Sequence, residues 1–140
     1  MARLTILDTG TVSLYERGLE RVTTRIARIA PHEVAVTILT AEEQFSGRQA
    51  TLRKARSSAQ LAEAYQRMTD TMRVLSDFHM LTFSEAAIAR YLSLLALKLN
   101  VGRFDLKIAA IALEEDAVVI TRNLRDFGRV PGLACENWAD

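Results

Sequence analysis

Short apolar segments alternate with longer segments of helical pattern along this chain, and this alternation constrains the fold more than any other feature. Residues 4–7, 34–39 and 117–120 are apolar and partly β-branched, and each segment is short enough for a buried strand. The segment FHMLTF at 78–83 and the residues around Ala134 and Cys135 predict two further strands. Because parallel strands are joined by crossover helices, this order predicts an α/β fold with a mainly parallel central sheet flanked by helices.

Two helical segments have particular roles in this predicted fold. Residues 48–73 are rich in Ala, Gln, Arg, Leu and Glu and are interrupted only at Ser57 and Ser58, which predicts two helices that form a long antiparallel arm. Residues 106–113 are almost wholly apolar, which predicts a central helix packed on several sides. Because no linker, repeat or low-complexity segment divides the chain, residues 1–140 are expected to form a single domain.

The charge balance and the cysteine content exclude several classes of protein. The 18 Lys and Arg residues nearly equal the 17 Asp and Glu residues, which excludes a strongly basic protein that wraps nucleic acid. The single cysteine, Cys135, cannot form an internal disulfide, and the sequence shows no charged-then-apolar leader and no long uncharged apolar segment. These features predict a soluble, cytoplasmic protein.

Three carboxylates stand where the predicted strands and helices meet. Asp8 follows the first strand, Glu43 follows the second, and Asp105 caps or opens the apolar helix. Taken singly, each has a structural explanation as a helix cap or as a first-turn residue favoured by the helix dipole. The carboxyl ends of parallel strands meet at one edge, however, and three anions buried together without a cation would cost several kcal/mol. As a set they predict a site for a divalent cation that activates water near phosphates.

Four sequence blocks surround these carboxylates in a fixed order. They are ILDT, then T-x-x-E with a glycine four residues after the acid (Thr40, Glu43, Gly47), then DLKIAAIA, and last VITRNLRDF followed by VPGL and ENW. No single block is specific, but together they cover nearly the whole chain. In this order they resemble the PIN-domain ribonucleases, and within that family the VapC-type toxins of bacterial type II toxin–antitoxin pairs.

The resemblance implies a PIN-like α/β fold, hydrolysis of RNA in an acidic pocket that binds one or two Mg²⁺ or Mn²⁺ ions, a homodimer, and inhibition by a small antitoxin. By position, Asp8, Glu43 and Asp105 match the three acids that bind metal and catalyse the reaction in the family. The family often places a further acid where this chain has Asn123. An amide oxygen can still coordinate a cation or hold a ligating water, and Asp126 is a second candidate ligand that could equally belong to a surface turn.

Residues beside the carboxylates complete the predicted site. Thr40 is expected to cap the helix that carries Glu43, which would place Glu43 in the first helical turn. Thr9 and Thr121 are placed to hydrogen-bond ligands or water, although capping alone would explain either residue. The arginines expected to contact the RNA backbone flank the predicted pocket in the last block; they are Arg122, Arg125 and Arg129.

Three other functions are weighed against the nuclease. The string LDTGT also occurs in aspartic-protease half-sites, but that fold is almost entirely β, whereas this chain is mostly of helical pattern. A phosphatase that forms an aspartyl-phosphate usually carries a second acid two residues after the first, where this chain has Gly10. The third alternative is a catalytically weak or inactive PIN-like domain that binds RNA or a protein partner, and Asn123 gives it support.

Overall fold

The fold is built on a five-stranded parallel sheet. In the computed structural model, which describes residues 3–140, the strands are β1 (Thr5–Leu7), β2 (Val34–Thr37), β3 (His79–Leu81), β4 (Val118–Ile120) and β5 (Ala134–Glu136). Their order across the sheet is β3-β2-β1-β4-β5, and every neighbouring pair is parallel. The predicted α/β class with a parallel central sheet is confirmed.

Helices connect the strands in the predicted order. They are α1 (Thr9–Glu16), α2 (Glu20–Ala27), α3 (Ile38–Lys54), α4 (Ser58–Leu75), α5 (Glu85–Ala96), α6 (Arg103–Glu114) and α7 (Leu124–Phe127), with a 3₁₀ turn at Pro31–Glu33. Among the described residues, no helix is both long enough and apolar enough to cross a membrane.

Two hydrophobic cores cover the opposite faces of the sheet. Along β1, Ile6 packs into the core formed with α5, α6 and α7, while the next residue, Leu7, packs into the core formed with α1 and α4. The same alternation occurs in β4, where Val119 and Ile120 enter opposite cores. Because both faces are covered, the strands are apolar on both sides, as parallel strands usually are.

Helix α6 is the central helix that the apolar segment predicts. Six of its residues, from Leu106 to Ala112, are at most 2% exposed, and it packs extensively on α5. Its first turn carries Asp105, which is half-buried and lies between Phe104 and Leu106 in the sequence. The packing of α6 therefore fixes the position of one predicted catalytic carboxylate.

The helix starts differ from the prediction at two carboxylates. Helix α3 is capped by Thr37, whose side chain accepts a hydrogen bond from the Thr40 amide, so the predicted Thr40 cap is wrong. Glu43 is the sixth residue of α3 and lies in its second turn, not its first. Asp105 is the third residue of α6 and does not cap it, because Gly102 holds the cap position. Strand β2 therefore ends at Thr37, two residues before the predicted end at 39. Thr37 and Thr40 both suit a helix cap, and local sequence does not distinguish between them.

The predicted arm is confirmed as the antiparallel pair α3 and α4. The two helices are joined at residues 55–57, and the Ser57 side chain accepts a hydrogen bond from the Gln60 amide at 3.1 Å. Arg48 of α3 donates from Nε to the hydroxyl of Thr71 on α4 at 2.9 Å. The serine pair that interrupts the helical pattern thus marks the turn of the arm.

The cap of α4 gives a test of this turn. The change Ser57→Ala leaves the Gln60 amide without its acceptor and is expected to lower the free energy of unfolding by about 1 kcal/mol. The change Ser58→Ala is a matched control at the first helical residue and is expected to have an effect of only a few tenths of a kcal/mol. Urea unfolding followed by circular dichroism measures both, and equal losses would contradict the assigned cap.

Candidate active site

The site is centred on the carboxyl ends of the inner strands β1 and β4. Leu7 and Ile120 are paired across these strands, so the residues that follow them leave the sheet side by side. The amide of Asp8 donates a hydrogen bond to the Ile120 carbonyl at 3.0 Å, and the hydroxyl of Thr11 donates to the same carbonyl at 3.0 Å. Asp8 is thereby tied to the centre of the edge.

Asp8 caps helix α1. Its Oδ1 atom accepts a hydrogen bond from the Thr11 amide at 2.8 Å, and its backbone is extended, as a cap requires. A carboxylate offers about four lone-pair sites on two oxygens, so capping leaves acceptor capacity for a ligand. The structural role and the predicted catalytic role of Asp8 are therefore compatible.

Asp105 shows that the predicted carboxylates share one site. Its pKa is raised above the ordinary 3.8, first by burial and then by the negative charges of Asp8, Asp126 and Glu43, in that order. A hydrogen bond from the Asn123 side chain acts in the opposite direction. The fold thus brings together the three predicted catalytic acids and both additional candidates from the last block.

Asn123 and Asp126 form a connected polar group at this edge. The Asn123 side-chain amide donates to Asp126 Oδ2 at 2.9 Å, and Arg129 Nη1 donates to Asp126 Oδ1 at 3.2 Å. Arg129 Nη1 also donates to the Asn100 carbonyl at 2.8 Å, which anchors the guanidinium to the loop before α6. The Asn123 side chain therefore donates to Asp126 and lowers the pKa of Asp105, which a carboxylate at position 123 could not do.

The acids are neighbours without forming a compact ligand cage. Within residues 3–140 no three Asp, Glu, His or Cys side chains are close enough together to hold one ion between them. Mg²⁺ usually keeps several of its waters and is bound directly by only one or two carboxylates. Mg²⁺ and Mn²⁺ prefer hard oxygen donors in a negative environment, and the carboxylates that raise the pKa of Asp105 supply both, so the residues present fit such an ion.

The two predicted polar contacts from threonines differ in exposure. Thr9 is partly exposed, and its Oγ1 lies 3.0 Å from Oγ1 of Thr40, which joins the starts of α1 and α3. Thr121 is completely buried, and its hydroxyl accepts a hydrogen bond from the backbone N–H of Asn123 at 2.9 Å. The structure gives Thr121 a turn-forming role, and its complete burial argues against the predicted contact with substrate.

The arginines of the last block divide into two kinds. Arg122 and Arg125 are exposed, as a contact with RNA would require. Arg129 is held by Asp126 and by the Asn100 carbonyl, which gives it a structural role, and its contact with the RNA backbone stays a prediction. The spacing of three residues between Asp126 and Arg129 is the signal in the sequence for this pair.

A comparison with protein families matches the PIN domain over residues 5–133. Two curated relatives match over short segments. Ribonuclease VapC2 of Rickettsia felis is 45% identical over 40 residues, which is 29% of this chain and 30% of the relative. The tRNA(fMet)-specific endonuclease VapC of Salmonella typhimurium is 47% identical over 38 residues, or 27% of this chain and 29% of the relative. The matched segments thus span less than a third of either relative.

Solved structures match over almost the whole chain. The DNA-bound VapBC of Salmonella typhimurium superposes with a TM-score of 0.81 at 23% identity, covering 98% of this chain and 99% of that chain. VapBC2 of Rickettsia felis, bound to a DNA fragment from its promoter, gives 0.78 at 22% identity, covering 96% and 98%. A toxin–antitoxin complex from Klebsiella pneumoniae gives 0.69 at 22% identity, covering 93% and 95%. At these identities the likeness is one of fold. Together with the family match over residues 5–133, it shows that the chain belongs to the PIN domain family.

Proposed function

We propose that this protein is a metal-dependent endoribonuclease and the toxin of a toxin–antitoxin pair. The observation that carries the proposal is the gathering of Asp8, Glu43, Asp105 and Asp126 at one edge of a PIN-family sheet, where the charges of the other three raise the pKa of Asp105. Carboxylates that repel one another in this way are retained where a cation binds between them. The names of the two curated relatives, a ribonuclease and an endonuclease, support the same class of reaction.

The proposed metal-binding and catalytic residues are Asp8, Glu43 and Asp105, with Asn123 and Asp126 beside them. A bound Mg²⁺ or Mn²⁺ ion supplies an activated water and polarises the scissile phosphate. The protein needs no side-chain nucleophile for this chemistry. Its residues orient the site: Thr11 holds one oxygen of Asp8, and Asn123 and Arg129 hold both oxygens of Asp126.

The proposed RNA contacts lie around these carboxylates. Thr9 is partly exposed at the start of α1, and Arg122 and Arg125 are exposed beside β4. Phosphate contacts of this kind position RNA without reading its sequence. We extend the proposal to residues 1–140 acting as a single PIN-like domain, which the one sheet with a core on each face supports.

The proposed partners are a small antitoxin and a second copy of this chain. Both are supported by large apolar side chains that the described structure leaves exposed on two helices: Leu61, Tyr65 and Met72 on α4, and Ile88 and Leu92 on α5. Apolar side chains grouped on helix faces mark surfaces that a partner covers. Light scattering of the purified chain, with and without the antitoxin, measures both associations.

One observation favours a second candidate function, a weak or inactive PIN domain that binds RNA or protein. Asn123 and Arg129 both donate to Asp126 without a metal ion, and Asn123 also lowers the pKa of Asp105. Where hydrogen bonds and an ion pair already reduce the repulsion between carboxylates, a bound cation stabilises the site less. Such a protein would bind RNA and release no product, which separates the two candidates in one assay.

The nuclease proposal predicts which glutamate is catalytic. Glu43→Gln, Asp8→Asn and Asp105→Asn are each expected to reduce Mg²⁺-dependent RNA cleavage by about two orders of magnitude or more, because each removes a charge from the proposed ion site. Glu42→Gln is the matched control, since Glu42 is exposed and precedes Glu43 on the same helix. Gel analysis of end-labelled RNA, with and without EDTA, measures the cleavage.

Several results would contradict this prediction. Wild-type protein freed of antitoxin that cleaves no member of a broad RNA panel with Mg²⁺ or Mn²⁺ would exclude the nuclease. Cleavage that survives EDTA would exclude the metal. Equal losses in Glu42→Gln and Glu43→Gln would show that the register of α3 is misassigned.

The raised pKa of Asp105 predicts a change in stability with pH. Because the folded state binds the Asp105 proton more tightly than the unfolded state does, ionised Asp105 destabilises the fold at neutral pH, and this cost decreases as the pH falls through the raised pKa towards 3.8. In EDTA, Asp105→Asn is therefore expected to be more stable than wild type at pH 7, by a margin that shrinks as the solution is acidified. Urea unfolding at several pH values, with Glu42→Gln as control, measures the margin. A less stable Asp105→Asn variant at pH 7 would contradict it.

The role of Asn123 is tested by making it an acid. Asn123→Asp removes a hydrogen-bond donor and adds a charge beside Asp105 and Asp126, so it is expected to lower the melting temperature in EDTA and to enlarge the rise in melting temperature on adding Mg²⁺. Asn123→Ala, which removes the donor without adding charge, is the control. A rise with Mg²⁺ that is the same in all three proteins would show that position 123 does not affect the ion site.

A further inference from the structure

A charged groove runs between α1 and the arm, outside the site described above. It has a volume of about 650 Å³ and is lined by Ser13 and Glu16 of α1, Arg17 directly after α1, Arg48 of α3, and Arg67 and Asp70 of α4. The carboxylates Asp8, Glu43, Asp105 and Asp126 are not among its lining residues. The groove is therefore a separate surface that needs its own explanation.

The helices that form the groove begin at the proposed active site. Thr9 and Thr40, near the starts of α1 and α3, lie in contact through their hydroxyls at 3.0 Å. Ser13 follows Thr9 by four residues and lies on the same side of α1, and Arg48 follows Thr40 by eight residues, about 12 Å along α3. Ser13 lines the groove and Thr9 is a proposed RNA contact, so along α1 the groove lies about 6 Å beyond the proposed active site.

Arg48 is held in place by a buried residue. Its Nε donates to the Thr71 hydroxyl at 2.9 Å, and this hydroxyl donates in turn to the Arg67 carbonyl at 2.9 Å. Thr71 is completely buried. This hydrogen bond uses one of the five guanidinium N–H donors of Arg48, and the donors on the two terminal nitrogens stay available to an anionic ligand.

The charges of the groove favour an anion. In the part of the chain that the structure describes, Arg48 and Arg17 form no ion pair, in contrast to Arg129 and Arg90. Asp70 accepts a hydrogen bond from the Gln66 side chain at 2.9 Å, and Arg67 lies 3.8 Å from Glu63. With Glu16 and Asp70 counted against Arg17, Arg48 and Arg67, the lining keeps a net positive charge.

We propose that this groove binds a backbone phosphate of the RNA, with Arg48 as the principal contact and Arg17 as the second. Arg48 follows Glu43 by five residues, about 7.5 Å along the axis of α3 and roughly 140° around it, so a phosphate bound by Arg48 lies outside the carboxylate site. The groove then holds a nucleotide that flanks the scissile bond. This inference rests on the proposed ribonuclease function.

The test compares variants of the full chain in cleavage and in binding. Arg48→Gln is expected to raise KM for RNA about tenfold with little change in kcat, because a flanking phosphate contributes to binding and not to the chemical step. In the inactive Glu43→Gln background, Arg48→Gln is expected to reduce the salt dependence of RNA binding by about 0.7 in the slope of log K against log salt. Fluorescence anisotropy of labelled RNA measures this slope.

Two further variants distinguish the effect of anchoring Arg48 on Thr71 from the effect of its positive charge. Thr71→Val keeps the charge of Arg48 and removes the acceptor of its Nε, so KM is expected to rise by a smaller factor. Arg53→Gln removes an exposed arginine of the same helix that does not line the groove, and is expected to leave KM unchanged. Melting temperatures confirm that each variant is folded. If Arg48→Gln does not fold, the KM of Thr71→Val is compared with that of wild type instead.

The outcomes distinguish this inference from the proposed function. If wild-type protein binds RNA through Arg48 but cleaves none, the proposed ribonuclease function is wrong and the phosphate site is supported. Active protein in which Arg48→Gln and Arg53→Gln have equal KM and equal salt slopes would overturn the phosphate site alone. Loss of binding to a polyglutamate peptide in Arg48→Gln, with RNA binding unchanged, would also overturn it and assign the groove to an acidic protein segment.

Discussion

Repulsion among carboxylates at one edge of the sheet is the constraint on which the site depends. Asp105 is half-buried, and the charges of Asp8, Asp126 and Glu43 make its ionised form costly. The fold tolerates this cost because part of it is offset locally: Thr11 donates to Asp8, and Asn123 and Arg129 donate to Asp126. The remaining negative charge is what a divalent cation would neutralise.

The same residues serve the fold and the site. Asp8 caps α1 while its backbone amide extends the hydrogen bonding between β1 and β4, so removing its side chain would disturb a helix start as well as the proposed ion site. Arg129 joins α7 to the loop before α6 through the Asn100 carbonyl, and this contact holds two elements that carry carboxylates. Activity measurements on such residues therefore need stability measurements beside them, because loss of a cap alone costs about 1 kcal/mol.

Much of the fold followed from local pattern. The order of strands and helices, the arm interrupted at Ser57 and the apolar helix α6 are set by residue spacing and by apolar content, which neighbours in sequence determine. The errors occurred where two nearby residues suit the same role. Thr37 and Thr40 are both good helix caps, and the end of β2 was settled by the pairing of Thr37 with Leu81 in the sheet, which local spacing does not contain.

The sequence by itself determined the fold class, the family and the acids that gather at one edge, because parallel strands joined by helices bring their carboxyl ends together. Only the tertiary structure decided which polar groups face which. Arg129 donates to Asp126, and the Thr121 hydroxyl accepts the backbone N–H of Asn123. Arg48 donates to Thr71, which lies 23 residues away in sequence. Such contacts depend on the distances between packed helices and strands, and these distances are set by side-chain volume throughout both cores.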